Sequence, residues 1–158
     1  MPIVLARVDD RLIHGQVVIG WGRSLGLERI ILVDDDVAAN DWEQDLYRMA
    51  VPDGMAVSFA TTEGAAAALP EWQASSLKSA ILTGSLPTMA RLHQAAPDIL
   101  QRINRGGIHH LPGRSERLPY VYLTDAELAG LRSLVADGAT VTAQDVPTAV
   151  PIPLSAIK

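Results

Sequence analysis

Ile3-Val4-Leu5-Ala6-Arg7-Val8-Asp9-Asp10-Arg11-Leu12-Ile13-His14-Gly15-Gln16-Val17 opens the chain, and its reading decides the fold class. The apolar run 3–6 ends in a charged turn, which reads as a buried parallel strand, and the pattern from Gly15 onward reads as the start of a helix. His14 is thereby placed at a strand-to-helix crossover. In open α/β sheets the loops at the carboxyl ends of the strands and the first amides of the following helices face one crevice, where reactive groups collect. Arg7, Asp9, Asp10 and Arg11 lie within a few residues of this histidine.

Outward from this stretch, the same alternation recurs. Val17, Val18, Trp21 and Leu25 fit one face of a helix over 15–25, stopped by Gly26, and 29–33 reads as a second buried strand ending in Asp34-Asp35-Asp36. A helix capped by Asn40 or Asp41 runs to about 50, Pro52-Asp53-Gly54 turns, and 55–60 is a third strand. Thr61-Thr62 open an alanine-rich helix that Pro70 is expected to close. A fourth strand covers 80–83, and Ser85 starts a helix over 87–96. The spacing then predicts a fifth strand at 100–104, a sharp turn at Gly106-Gly107, a loop over 109–114 and a sixth strand at 120–123. Thr124 and Glu127 form a capping box for a helix to about 137, 140–144 is a last strand, and the proline-bearing tail 146–158 is extended. Strands separated by helices imply right-handed crossovers, hence a three-layer α/β fold: a mostly parallel twisted sheet of about six or seven strands with helices on both faces. One late strand could run antiparallel at an edge.

Composition narrows the chemistry. The 158 residues suit a single domain over 1–158 with one core, being 48% hydrophobic. There is no cysteine, so thiol nucleophiles, disulfides and thiolate zinc sites are excluded. Thirteen Lys and Arg against 18 Asp and Glu give a formal charge of −5, which argues against nucleic acid and anionic lipid as partners. No signal segment and no apolar stretch near the roughly 20 residues of a membrane span is present, so a cytoplasmic location is expected.

The motif inventory excludes more. Neither a P-loop nor a G-x-G-x-x-G run follows the first strand, and Gly84-Ser85-Leu86-Pro87 lacks the second glycine of an acyl-transfer elbow. His109 and His110 are adjacent rather than four apart, which does not suit a zinc pair on a helix, so no metal and no cofactor is expected. The acids at 34–36 follow the second strand, not the first, and read as a loop that starts the next helix. What remains is a nucleophilic histidine for phosphoryl transfer, since an imidazole is largely neutral at pH 7 and needs no base. Arg7 and Arg11 can offer paired donors to phosphate oxygens, the amides at Gly15 and Gln16 can add more, and Asp9 or Asp10 can fix the ring tautomer. On spacing alone, the same residues also fit a helix cap with ordinary surface arginines.

Residues 7–17 closely resemble the active-site loop of the enzyme IIB subunits of the mannose/sorbose family of the bacterial phosphoenolpyruvate-dependent sugar phosphotransferase system. Residues 31–38 resemble that family's second strand and acidic turn, Asn104-Arg105-Gly106-Gly107 its Asn-x-Gly-Gly segment, and 120–124 and 146–148 its later motifs, so the resemblance covers essentially the whole chain. It implies a phosphocarrier in which His14 attacks through Nδ1, taking a phosphoryl group from a phosphohistidine on a separate IIA protein. The group then passes to a sugar held by the membrane subunits IIC and IID, with which the chain would associate peripherally. Arg11 is implied as a phosphate or transition-state contact and Asp9 as its orienting partner; Arg7 and Asp10 match the motif without a fixed role. Ser85 is added from topology, because its loop should lie beside that of His14. Two features depart from the family: 83–87 is neutral where a basic or aromatic side chain is usual, and Arg105 replaces an apolar residue, which would alter the partner or sugar surface. A regulatory phosphohistidine protein and an α/β phosphate-binding domain are the competing readings, and a homo-oligomer stays open.

Overall fold

The computed structural model describes residues 2–119 and 121–157, and of Gln16 the backbone alone. β1 (Ile3–Val8) leads through the charged loop into a π-helical segment, Gln16–Trp21, which runs on as α1 (Gly22–Leu25). Gly26 ends it at φ +63, a left-handed cap that glycine adopts without a Cβ penalty. β2 (Arg29–Val33), α2 (Asp35–Ala38), α3 (Asp41–Met49), β3 (Ala56–Ala60), α4 (Thr62–Ala74), β4 (Ser79–Thr83) and α5 (Leu86–Ala95) follow. The second half holds β5 (Arg102–Arg105), β6 (Ser115–Leu118), β7 (Val121–Leu123), α6 (Asp125–Ala136), β8 (Thr140–Ala143) and β9 (Ile152–Pro153). The helix starts follow from local chemistry: Asp34, Asn40, Thr61, Ser85 and Thr124 each accept a hydrogen bond from an amide three residues on.

Seven strands form one sheet in the order β3-β2-β4-β1-β5-β8-β9, parallel except for β9, which runs antiparallel to β8. The antiparallel edge is not one of the late strands read from the sequence but a two-residue strand of the tail, and the tail is not extended throughout, since Leu154–Ala156 form a 3-10 turn that buries Leu154. Along each central strand alternate side chains enter opposite layers. Ile30, Leu32, Ala80 and Leu82 pack with Val17, Val18 and Val37 on one face. On the other, Ile31, Val33 and Ile81 meet Leu69 of α4, Met89 and Leu92 of α5, and Leu128, Leu131 and Leu134 of α6. Helices cover both faces, as the near-continuous apolar strands require.

Two local expectations are corrected here, and one strand was not foreseen. Pro70 does not close its helix: α4 continues to Ala74 with Pro70 inside it. The ring sits on the exposed side, and the extra turn lets Trp72 pack against the core and brings the Gln73 side chain to accept from the Ile3 amide at 3.2 Å. The strand expected at 120–123 lies off the main sheet, as β7 paired antiparallel with β6; Tyr120 itself lies outside the described residues. The place beside β5 is already filled by β8, paired along all of Arg102–Arg105. β6 escaped notice because Ser115-Glu116-Arg117-Leu118 carries no apolar alternation.

Candidate functional site

The sheet order places the end of β1 between β4 and β5. β1 connects to a helix on one face while β4 leads to α5 on the other, which opens a crevice at the carboxyl ends of these strands. The loop after β1 is tight. The Asp9 amide donates to the Thr83 carbonyl at 2.9 Å, and the Leu12 amide to the Asp9 carbonyl at 3.0 Å. Leu12 takes φ +58, a left-handed conformation that costs a non-glycine residue about 1–2 kcal/mol. Packing offsets that cost: the Leu12 side chain joins the core cluster beneath the helix and lies over Gly84, where a Cβ would come within 2.9 Å of it. The chain then turns helical at Gly15, and Val18 donates to the His14 carbonyl at 3.0 Å.

Asp9 is the hub. Its side chain is fully buried, and its oxygens accept from the Arg11 amide at 3.0 Å, Arg11 Nε at 2.9 Å, Arg11 Nη2 at 2.8 Å and Arg7 Nη2 at 3.2 Å. His14 Nε2 stands 3.2 Å from Asp9 Oδ2. Burial pushes the Asp9 carboxyl up, but the hydrogen bonds from Arg11 and the charges of Arg7 and Arg11 outweigh it and hold the group well below the usual carboxylate range. For His14 burial again leads, and it lowers the imidazole; Asp9 opposes, Arg11 and Arg7 assist, and the net shift is down. The ring is therefore neutral at pH 7 while its neighbour is a fixed anion.

Arg7 stands behind Asp9 with no exposed surface. Its guanidinium hydrogen-bonds Asn104 Oδ1 and donates to the carbonyls of Gln144 at 2.7 Å and Asp145 at 2.9 Å, joining the ends of β1, β5 and β8. It lies 5.0 Å from the centre of the Trp21 ring, whose Nε1 donates to the Asp145 carbonyl at 3.0 Å. This clamp explains the glycine pair. A Cβ at Gly106 would fall inside the Arg7 guanidinium, and one at Gly107, already at φ +64, would sit 2.5 Å from Asp10 Oδ1 and 2.9 Å from Asp9 Oδ1.

Asp10 is paired with a different residue. Arg114 Nη2 donates to Asp10 at 3.2 Å, and Arg114 also bonds the carbonyls of Gly107 and His109 and both oxygens of Glu127. Glu127 takes Arg105 Nη2 at 2.5 Å as well. Arg105 is 2% exposed and only lines the cavity it shares with Ser85, Arg114 and Glu127, so it offers almost nothing to an outer partner face, contrary to the expectation that it would alter one. Its charge is tolerated there because Glu127 pairs it.

The structure thus brings His14, Asp9 and Arg11 together, with Arg7 supporting them from below and Asp10 on a separate ion-pair network. Gly15 is exposed at the helix start with open space beside it. The Gln16 side chain lies outside the described residues. Ser85 is where topology put it, on the loop next to β1, but its hydroxyl caps α5 by accepting from the Thr88 amide at 3.2 Å. Asp145 went unread in the sequence: its carboxylate accepts from the Gly107 amide at 3.2 Å and stands 3.4 Å from Arg11 Nη2. Its position just past the β8 strand was the available signal.

The family model described as PTS system sorbose subfamily IIB component matches residues 3–157. The N-acetylgalactosamine-specific phosphotransferase enzyme IIB component 1 of Escherichia coli K12 is 32% identical over 146 residues, covering 92% of this chain and 91% of the relative. A crystal structure of the N-acetylgalactosamine-specific IIB component 1 from Escherichia coli superposes with TM-score 0.83 at 30% identity, covering 95% of this chain and 97% of that one. The IIBSor domain of the sorbose permease from Klebsiella pneumoniae superposes with TM-score 0.82 at 29% identity, covering 99% and 96%. The family match and these likenesses extend over nearly the whole chain, and the chain belongs to the sorbose-subfamily IIB components of the sugar phosphotransferase system.

Proposed function

We propose that His14 is the phosphoryl carrier of this chain, acting as one cytoplasmic domain between a separate phospho-IIA protein and the membrane subunits IIC and IID with their sugar. The observation that carries this reading is the His14 Nε2 to Asp9 contact. A buried carboxylate accepting from Nε2–H leaves the lone pair on Nδ1, and lowering of the imidazole keeps that lone pair available at neutral pH. In the first step Nδ1 attacks the phosphorus on the donor; a new N–P bond forms as the donor's N–P bond breaks, and that electron pair returns to the donor ring. In the second step a sugar hydroxyl oxygen attacks the phosphorus, an O–P bond forms as the Nδ1–P bond breaks, that electron pair returns to the His14 ring, and the hydroxyl proton passes to solvent water. Catalysis here is positioning and charge neutralisation.

Arg11, held at its Nε and Nη2 by Asp9 and 29% exposed, is the cation placed to meet phosphoryl oxygens. The amides of Gly15 and Gln16, at the start of the continuous helical run, are further donors. Arg7 is a positioning residue, since its guanidinium faces Asp9 and strand carbonyls. Asp10 and Ser85 act by shaping the loops that flank the site. Among the described residues no helix is long and apolar enough to cross a membrane, so docking to IIC and IID would be peripheral.

Incubation with phosphoenolpyruvate, the general phosphotransfer proteins and the cognate IIA, followed by mass spectrometry that preserves acid-labile phosphohistidine, is expected to place one phosphoryl group on His14. His14→Ala is expected to stay unlabelled with an unchanged circular dichroism spectrum. Labelling of that variant at the wild-type level would sink the assignment.

A further inference from the structure

α3 carries a face that folding does not use. Its inner side is tied down by Gln44, whose amide donates to the Val37 and Ala38 carbonyls at 3.0 and 3.1 Å, and by Tyr47, which packs against Phe59 at 6.4 Å between ring centres. Trp42, Leu46 and Met49 recur at i, i+4 and i+7 and point the other way, 72%, 47% and 82% exposed. A tryptophan, a leucine and a methionine in one exposed ridge mark a contact surface, because aromatic residues and methionine concentrate at interface centres.

The charge around the ridge is one-sided. Between Asp34 and Asp53 the sequence holds seven carboxylates and one arginine, net −6, which exceeds the −5 of the whole chain. The remainder of the molecule is therefore slightly positive, and its acidity is gathered here. Asp35, Asp36, Asp41, Asp45 and Asp53 are exposed. The one base, Arg48, is already paired to Asp45 at 3.0 Å and set over Phe59 at 5.1 Å.

We propose that the Trp42-Leu46-Met49 ridge with its acidic rim docks a protein surface that is apolar at its centre and basic around it, namely the cytosolic side of the membrane subunits that receive the phosphoryl group. This rests on the function proposed above. Three arguments select this occupant. Cytosolic loops of membrane proteins carry an excess of Lys and Arg, which complements the rim. An anionic lipid surface would be repelled by it. A two-fold pairing of this chain through the ridge would set one acidic rim against the other.

Position supports the same occupant. α2 and α3 connect the carboxyl end of β2 to the start of β3, so Trp42 lies toward the edge of the sheet that carries His14. β2 is two strands from β1, a lateral offset of about 10 Å. A partner bound at the ridge can therefore reach over His14.

The test is co-sedimentation of the full chain with inverted vesicles containing the cognate IIC and IID, against vesicles of phosphatidylglycerol and phosphatidylethanolamine alone. Wild type is expected to sediment with the subunit-bearing vesicles, less so as salt rises, and not with lipid alone. Trp42→Ser combined with Met49→Ser is expected to weaken that binding by about tenfold or more while His14 is still labelled by phospho-IIA at the wild-type rate. Because sedimentation needs no phosphoryl transfer, it can fail or succeed independently of the carrier assignment. Equal binding by the variant, binding to lipid alone, a self-association abolished by the two substitutions, or loss of labelling by IIA would each overturn the proposal.

Discussion

His14 Nε2 lies 3.2 Å from Asp9 Oδ2, and the same oxygen takes hydrogen bonds from Arg7 Nη2 at 3.2 Å and Arg11 Nη2 at 2.8 Å. One buried carboxylate thereby orients the ring, the partly exposed Arg11 and the arginine that joins three strand ends. The site and the centre of the sheet are consequently one electrostatic unit, and a change in any of the four groups is felt by the others.

Asp9→Asn should separate the structural part of this unit from the chemical one. It keeps an acceptor for His14 but removes the charge that faces the fully buried Arg7, and breaking a buried pair on one side costs about 3–5 kcal/mol. The sign with pH follows from the lowered carboxyl: its stabilisation is present above the unfolded value of about 3.9 and is lost as pH falls through the lower folded value. Urea denaturation at pH 7 is expected to show the full loss, with the gap between wild type and variant closing in strong acid. A variant as stable as wild type at pH 7 contradicts the clamp.

The His14 ring is expected to titrate below its ordinary value of about 6.5, since burial outweighs the pull of Asp9. Phosphoryl acceptance requires the neutral ring. Labelling should therefore persist to lower pH than an unperturbed imidazole allows and decline as pH falls through the lowered midpoint. The same shift makes the unfolded chain take up the proton first, so this group withdraws stability as pH falls from the unfolded value through the folded one. An NMR titration of the ring checks both, and a midpoint above the ordinary value refutes the argument.

Gly106→Ala tests whether the glycine pair exists for Arg7. A methyl there would occupy the guanidinium's place, and Arg7 has no surface to retreat to. Overpacking of this kind costs about 1–3 kcal/mol. Thermal unfolding should drop by roughly 2–4 °C per kcal/mol lost. Gly113→Ala is the control: although φ is +86 there, no atom stands within 4 Å of its Cβ, so its cost is backbone strain without displacement of Arg7. Normal stability in Gly106→Ala would show that the clamp can shift aside.

The fold was largely legible because Ile30-Ile31-Leu32-Val33 and Ala80-Ile81-Leu82 are apolar on both faces, a pattern that buried parallel strands produce. Caps at Asn40, Thr61, Ser85 and Thr124 were readable because a side-chain oxygen three residues before a free amide is a local signal. Pro70 misled because its penalty is local whereas the gain from burying Trp72 is tertiary. In the site, His14, Asp9 and Arg11 share one loop and could be picked out together. The choice of Asp9 over Asp10 could not, since it depends on Arg114 arriving from more than a hundred residues away to take Asp10. The inward aim of Arg7 was hidden for the same reason: Asn104, Gln144 and Asp145 come from β5 and the end of β8.

Arg11 offers the sharpest separation of chemistry from stability. Its guanidinium is positioned by three contacts to Asp9, one through the Arg11 amide and two through Nε and Nη2, and by Asp145 at 3.4 Å, yet it remains partly exposed where Arg7 does not. Arg11→Ala leaves the backbone contact and the Arg7 pair in place, so stability should fall less than in Asp9→Asn. Transfer should suffer more, because removing one preorganised donor to developing charge costs about 10²–10³ in rate. Arg11→Lys keeps the charge and loses the planar fork that engages Asp9 and phosphate together, and should fall between the two. Single-turnover labelling from phospho-IIA measures this directly, with His14 still the acceptor in both variants. A rate within about twofold of wild type in Arg11→Ala, well short of that expected loss, would remove Arg11 from the transition state and leave it only the task of holding Asp9.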